Sequence, residues 1–259
     1  MSKDNKNARD ISWAKIYKDL NINKHNFKKS PFLINAKDIK KSCQNFKATG
    51  AKEVRILCKQ DTREQRPKVF KDKELFLLPI KNGSYYIIKG EGYINIPEIK
   101  TKSIKYSSKL DFNLDTTEIG NSEMQHLDFA YASSIIRTFM NDPTLVLTIR
   151  GRKYTPKFEF KVGEQLIKTK GVQTEVDGGY EGKNQVVLIE AKNSSTKNTI
   201  IRQLYYPFRQ WQEHTNKKVT TLFFEKNHKN NTYSIWQFGF KNLKDYNSIY
   251  LIKSKKYSL

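Results

Sequence analysis

Apolar and polar positions alternate with different periods along this chain, and the character of the pattern changes near residue 115. Ile39, Cys43 and Phe46 recur at helical spacing, with Asn35 as the residue available to cap a helix over 35–46. Glu53-Val54-Arg55-Ile56-Leu57-Cys58 alternates and predicts a strand. The charged run Asp61 to Lys68 predicts a short helix, with Pro67 limiting its first turn. Leu75 to Ile80 is apolar, and Asn82-Gly83 turns it back into Tyr85-Tyr86-Ile87-Ile88, a hairpin signal. Helix, strand, helix and hairpin in this order predict a winged-helix-like module over residues 1–115.

The second part, residues 116–259, opens on Ser122 and Gln125, a capping box. Met124, Leu127, Tyr131 and Ile135 follow as an apolar stripe, predicting a helix over 123–139. Strands are predicted at 144–149, 157–162 and 171–177. After Gly178-Gly179, which allow a tight bend, Val186-Val187-Leu188-Ile189 is an unbroken apolar run suited to a strand covered on both faces. A helix over 196–212 and strands at 219–224, 232–240 and 248–252 complete the pattern. Strands, a helix and further strands predict a mixed α/β (α+β) sheet with helices packed on it.

Composition adds a charge. Of the 259 residues, 48 are Lys or Arg and 26 are Asp or Glu, a formal net charge of +22. That field attracts polyanions, nucleic acid above all. An abundance of lysine, asparagine and isoleucine is also what an AT-rich genome produces without selection on binding. No window holds about 18 consecutive apolar residues, so no membrane span is expected. The charged N-terminus lacks the apolar stretch of a secretion signal, and a cytoplasmic protein is expected. Cys43 and Cys58 have no partners at metal-ligand spacing and are read as small buried hydrophobes of a reducing compartment.

The candidate chemistry lies at Asp177, Glu190 and Lys192. Residues i and i+2 of a strand share a face, so Glu190 and Lys192 point together with Ala191 opposite. Hairpin pairing with the preceding strand brings Asp177 alongside, and the Ala191 carbonyl adds another oxygen. Hydrolysis of a phosphodiester needs an activated water and a site that tolerates charge on phosphate oxygens; acidic ligands for Mg²⁺ with a nearby cation meet both needs. Glu-x-Lys alone is weak in a lysine-rich chain, and it recurs at Glu98-Ile99-Lys100 and Glu159-Phe160-Lys161. The first follows a proline, and the second has the alternation of an ordinary strand with one wet face. Only Glu190-Ala191-Lys192 ends a fully apolar strand, where an acid and a base are costly without a task.

Gly171-Val172-Gln173-Thr174-Glu175-Val176-Asp177-Gly178-Gly179-Tyr180-Glu181, continued by Leu188-Ile189-Glu190-Ala191-Lys192-Asn193, resembles the PD-(D/E)xK nuclease superfamily. It is similar to a group of type II restriction endonucleases that share a following segment, here Arg202 to Trp211; the likeness spans roughly residues 123–211. Val176 stands where the superfamily's nominal proline precedes the aspartate. The resemblance implies a restriction-endonuclease-like mixed sheet and Mg²⁺-dependent hydrolysis of double-stranded DNA to 5′-phosphate and 3′-hydroxyl ends. It implies Asp177 and Glu190 as metal ligands and Lys192 as the residue that positions or activates water. Many such nucleases add a glutamate from a helix leading into the sheet; Glu123 is the candidate here, with helix-dipole stabilisation as its other reading. Glu175 is a rival ligand, and Gln203 a candidate support for Lys192.

A site-specific nuclease must also read DNA. Arg63, Gln65, Arg66 and Lys68 are the candidates in the N-terminal module, because arginine is scarce here beside lysine. The Arg150-Gly151-Arg152-Lys153 turn is an equally good phosphate clamp. On the last helix, Arg202, Tyr206 and Arg209 share a face that meets phosphates or is simply a basic surface. The expectation is a homodimeric bacterial restriction endonuclease acting beside a separate methyltransferase. A repair or recombination nuclease and a winged-helix regulator without chemistry remain as alternatives.

Overall fold

The computed structural model describes residues 3–193 and 195–259; Met1 and Ser2 of the charged N-terminus lie outside them. Helix α1 (Lys3–Asp19) packs with strand β1 (Phe32–Asn35) and four short helices, α2 (Ala36–Cys43), α3 (Thr49–Lys52), α4 (Val54–Leu57) and α5 (Lys68–Asp72). Strands β2 (Leu75–Lys81) and β3 (Ser84–Lys89) form the predicted hairpin, and β1 pairs with β3 to give the order β1-β3-β2. Gly83 takes the positive φ of 73° that the Asn82-Gly83 turn requires.

Two local expectations fail here. Residues 54–57 form the helical turn α4 rather than a strand. Trp13 Nε1 donates to the Leu57 carbonyl at 3.1 Å, docking the turn on α1. Six alternating residues with no partner strand cannot by themselves distinguish the two conformations. The helix expected over 61–68 begins only after Pro67, because proline's fixed φ suits the position just before a first helical turn; Arg63–Gln65 is a single 3₁₀ turn.

The hairpin joins the two parts of the molecule. Leu75, Leu77 and Ile87 face a core with Trp13, Ile16, Ile39 and Phe70. Their neighbours Phe76, Leu78 and Ile88 face the other way, into a core with Tyr93, Phe160, Tyr205 and Tyr206. The two-residue period of a strand thus places one hairpin in two cores. Beyond it, β4 (Tyr93–Asn95) pairs with a strand of the second part, and β5 (Ile104–Lys105) lies at the edge of the main sheet. The packing therefore changes soon after β3, well before the change of sequence pattern at 115.

Helices α6 (Glu123–Ala132) and α7 (Ile135–Met140) precede strand β6 (Val146–Tyr154), the hairpin β7 (Phe158–Val162) and β8 (Gln165–Thr169), then β9 (Gln173–Glu181) and β10 (Gln185–Lys192). The short β11 (Asn198–Ile200), which pairs with β4, leads into α8 (Arg202–Gln212), followed by β12 (Lys218–Asn227), β13 (Thr232–Phe240) and β14 (Ile249–Ser258). The result is a mixed α+β architecture. Its seven-stranded sheet runs β5-β14-β13-β12-β10-β9-β6, with β10 parallel to β12 and antiparallel to β9. Helices α6 and α7 cover Val187, Ile189 and Ala191 on one face. On the other face, Phe208 of α8 packs against Val186 and Leu188.

Several predicted elements shift. The Ser122 side chain caps α6 by accepting from the Gln125 amide, but the helix stops at Ser133. Ser134, at φ 68°, separates it from α7, so the 123–139 helix is broken and Met124 is left exposed. The helix expected from 196 starts at Arg202, because 198–200 is taken up by β4. Arg150 to Lys153 is strand rather than turn, with Gly151 at φ 79° just past two shifts of register.

Gly178-Gly179 is not a bend either. Strand β9 runs straight through it, with Gly178 opposite Ile189 and Gly179 opposite Leu188 and Ile149; the turn follows at 182–184. These glycines serve close packing. A Cβ on Gly179 would lie 2.6 Å from Ile149 Cβ, and one on Gly178 would lie 2.8 Å from Leu127 Cδ2. Gly179→Ala is expected to cost about 1–3 kcal/mol of unfolding free energy, as overpacked cores do, measured by urea denaturation. An unchanged midpoint would show that Ile149 can give way.

Candidate active site

The antiparallel pairing of β9 with β10 extends to Ile189 opposite Gly178. Two residues on, the Ala191 amide donates instead to Asp177 Oδ2 at 2.8 Å, so the aspartate is fastened where the two strands part. Strand β10 continues beside β12 as far as Lys192 opposite Glu225. Glu190 therefore follows Val186 and Leu188 on the face beneath α8, and only 7% of it is exposed. Lys192 Nζ donates to Glu190 Oε1 and to the Ala191 carbonyl, the latter at 2.9 Å. From α8, Gln203 Nε2 donates to Glu190 Oε1 at 2.6 Å, and the Thr199 hydroxyl donates to Gln203 Oε1 at 2.8 Å. Gln203 thus supports the glutamate, not the lysine as expected. Thr199, inside a stretch expected to be helical, gave no signal in the sequence.

Burial dominates the electrostatics. It pushes the Glu190 carboxyl up to about 7; Lys192 opposes this and Asp177 adds to it. Asp177 is also raised by burial, against the pull of the Ala191 amide and Lys192. Burial alone would lower Lys192, but Glu190 beside it, with Glu123 and Asp177 nearby, raises it above its ordinary value. The lysine is held as a cation.

This group lies on the floor of a cleft of about 690 Å³ between the sheet and the N-terminal module. The half-buried Glu123, from the first turn of α6, reaches the same cleft, as does Glu175. Glu175 faces Arg152 at 3.4 Å, both side chains being mostly exposed. The oxygens available to a cation here are carboxylates and the Ala191 carbonyl, hard donors of the kind magnesium takes. Glu190 Oε1 and the Ala191 carbonyl already converge on one cation, the Lys192 ammonium. Among the described residues no three His, Cys, Asp or Glu side chains gather as a ready metal cluster.

Residues 88–258 match the family described as "Domain of unknown function (DUF6997)". The chain belongs to this family. Residues 10–87 match another, "Domain of unknown function (DUF6996)", and the two matches meet inside β3, the strand shared by both cores. No curated protein and no solved structure matches the chain. Glu123, Asp177, Glu190, Lys192 and Gln203 all fall in the DUF6997 match.

The DUF6996 stretch holds the expected base readers, and they are engaged elsewhere. The Arg63 amide donates to Asn198 Oδ1 at 2.7 Å, and its guanidinium reaches Asn95 Oδ1, the Tyr93 carbonyl and Glu91. Arg66 donates to the Leu75 carbonyl at 3.1 Å and lies 5.3 Å from the Tyr93 ring centre. Gln65 Oε1 accepts from the Asp61 amide, and Lys68 pairs with Asp72 one turn on. These residues fasten the module internally and to the DUF6997 part. Their scarcity as arginines was a sound signal of a task, but the partners lie too far along the chain to be seen from sequence.

The basic face expected on α8 is likewise dispersed. Tyr206 is buried, its hydroxyl donating to the Pro79 carbonyl at 2.9 Å. Arg209 is buried and donates to the Leu243 carbonyl at 2.7 Å. Arg202 and Tyr206 both line the cleft, and Arg202 lies 3.9 Å from Asp61. On β6, Arg150 makes a two-pronged pair with Asp128, and Lys153 is exposed.

Two substitutions test these roles by urea denaturation. Arg63→Ala is expected to cost about 1–2 kcal/mol, since charged hydrogen bonds between the two parts disappear at a partly exposed site. Gln203→Leu is expected to cost about 1–3 kcal/mol, because a buried carboxylate oxygen and a buried hydroxyl lose their partner. Wild-type stability in either variant would remove the role assigned to that side chain.

Proposed function

We propose that this chain is a magnesium-dependent restriction-type endonuclease of the PD-(D/E)xK class, hydrolysing double-stranded DNA to 5′-phosphate ends. One juxtaposition carries the reading: Asp177, Glu190 and Lys192 lie together on adjacent strands at the floor of an open cleft, with Glu123 beside them. The element order supports it. Helix α6, antiparallel strands β6, β9 and β10, then α8 crossing to β12 parallel to β10 give a mixed sheet flanked by helices, the kind of sheet the resemblance implies. In the N-terminal module, the succession of helix, strand, helices and hairpin, with sheet order β1-β3-β2, supports a winged-helix-like reading.

Asp177, Glu190 and the Ala191 carbonyl would hold Mg²⁺, whose charge lowers the pKa of bound water and offsets charge building on phosphate oxygens. With so few protein groups holding it, such an ion would keep places for water and phosphate, as magnesium commonly does. The chain's own residues set the geometry. The Ala191 amide fixes Asp177, and Gln203 fixes Glu190. Lys192, held as a cation, orients an attacking water by donating to it rather than by taking its proton. Its charge also offsets that of the phosphate. The protein would act as a homodimer in the bacterial cytoplasm beside a separate methyltransferase. No helix among the described residues is long and apolar enough to cross a membrane.

Phage DNA incubated with the protein and Mg²⁺ should give discrete, reproducible bands. Lys192→Ala should slow cutting by about 10²- to 10⁴-fold while leaving binding in Ca²⁺ intact. Cutting at the wild-type rate by this variant, or cutting by the wild type without any divalent ion, would overturn the reading. Uncut DNA with a mobility shift would favour a regulator.

A further inference from the structure

The cleft is electrically divided. Glu123, Glu175, Asp177 and Glu190 lie on its DUF6997 side, where the two cations, Lys192 and Arg202, are ion-paired with Glu190 and Asp61. The opposite wall belongs to the N-terminal module and presents Arg55 on α4, Lys59 just beyond it, and Lys81 and Asn82 at the hairpin tip. All four are exposed. Lys59 lies 3.6 Å from Asp61. Among the described residues, Arg55 and Lys81 have no ion-pair partner.

Exposed lysines are common on this chain, so charge alone would mean little; what distinguishes this wall is how firmly its tip is held. The Ala36 amide donates to the Gly83 carbonyl at 2.8 Å, and Ser84 Oγ donates to Asn35 Oδ1 at 2.9 Å, tying the turn to the start of α2. From the other side, Tyr206 of α8 donates to the Pro79 carbonyl, and the Lys170 amide to the Ile80 carbonyl at 3.1 Å. Both faces of the hairpin behind the tip are buried in cores. Surface turns are usually mobile. This one is fixed in position relative to Asp177 and Glu190.

We propose that this wall is the substrate-reading surface of the cleft. Arg55, Lys59 and Lys81 hold backbone phosphates flanking the one on the acidic floor, and Asn82 enters the major groove of a DNA duplex. The proposal rests on the nuclease reading of the same cleft. Two physical points carry it. A phosphodiester chain approaching four carboxylates needs counter-charge beside them; among the described residues lining the cleft, Lys192, Arg202 and Lys59 are ion-paired, and Arg55 and Lys81 of the module wall are not. A two-stranded ribbon fits the major groove, and an asparagine at its tip matches the donor and acceptor pattern of adenine. Base reading thus moves from residues 63–68, which are engaged within the protein, to 81–82.

The test is fluorescence anisotropy with a labelled DNA duplex in Ca²⁺, across a salt series. Arg55→Ala/Lys59→Ala and Lys81→Ala are each expected to weaken binding about tenfold and to flatten the dependence of log K on log salt by about one for each phosphate no longer neutralised. Lys100→Ala/Lys102→Ala, exposed and outside the cleft, should leave the slope unchanged. Asn82→Ala should keep general affinity and reduce discrimination between sites by about 10- to 100-fold. Thermal melts at the wild-type temperature would confirm that these surface variants fold. Slopes equal to wild type in the wall variants, no binding by the wild type, or tighter binding to an RNA duplex would each overturn the proposal. Wild-type binding that responds to the wall variants, with no cutting in Mg²⁺, would overturn the catalytic reading and leave the wall standing.

Discussion

Taking an ionised carboxylate out of water costs on the order of several kcal/mol unless charge and hydrogen bonds replace the missing hydration. Glu190 is in that position, beneath α8 at the end of an apolar strand, and much of the surrounding architecture answers to it. Lys192 supplies the opposite charge from the same strand. Gln203 supplies a neutral donor, and Thr199 fixes which end of that amide faces the acid, since a hydroxyl donating to Oε1 leaves Nε2 to point at Glu190. Strand β11, which carries Thr199, is in turn held by β4. A continuous set of contacts thus runs from β4 through β11 and α8 to one buried side chain. Even so, burial prevails and pushes the carboxyl up to about 7.

A second constraint places that site against something. Strands β2 and β3 are apolar on both faces, one face in each core, so the hairpin cannot leave either core without exposing large side chains to water. The module is therefore a fixed wall of the cleft rather than a tethered neighbour. Arg63, with donors to Asn198, Asn95 and the Tyr93 carbonyl, reinforces the same joint with polar contacts. The meeting of the two family matches within β3 coincides with this shared element: the boundary in sequence is not a boundary in packing.

What could be read from the sequence was what local chemistry decides. The Asn82-Gly83 hairpin, the Ser122 cap and the apolar run of β10 each depend on neighbours within a few residues, and each was legible. The same holds for Asp177, Glu190 and Lys192, which a strand period and one hairpin bring together. The failures share the opposite property. Residues 198–200 read as helix because their partner strand, β4, lies far upstream. Gly178-Gly179 read as a bend because glycine often marks one, whereas the need for glycine comes from Ile149 and Leu127, which only the folded sheet brings near. Arg63 and Arg66 stood out by composition, yet their partners are distant asparagines and carbonyls.

The three Glu-x-Lys tripeptides show why environment, not motif, gives a residue its chemistry. Glu159 pairs across a hairpin with Lys168 in solvent, where such a pair contributes little, while Phe158 and Phe160 anchor the strand. Glu98 and Lys100 are exposed on either side of the buried Ile99. In both places the charged residues keep one face of the chain wet. At Glu190 the same spacing is turned inward, against a helix that brings a glutamine and beside Asp177, which accepts from the Ala191 amide. There burial raises both carboxyls against the pull of the Lys192 ammonium. That setting, at the floor of a cleft whose far wall carries Arg55, Lys59 and Lys81, separates Glu190-Ala191-Lys192 from the two solvent-facing tripeptides.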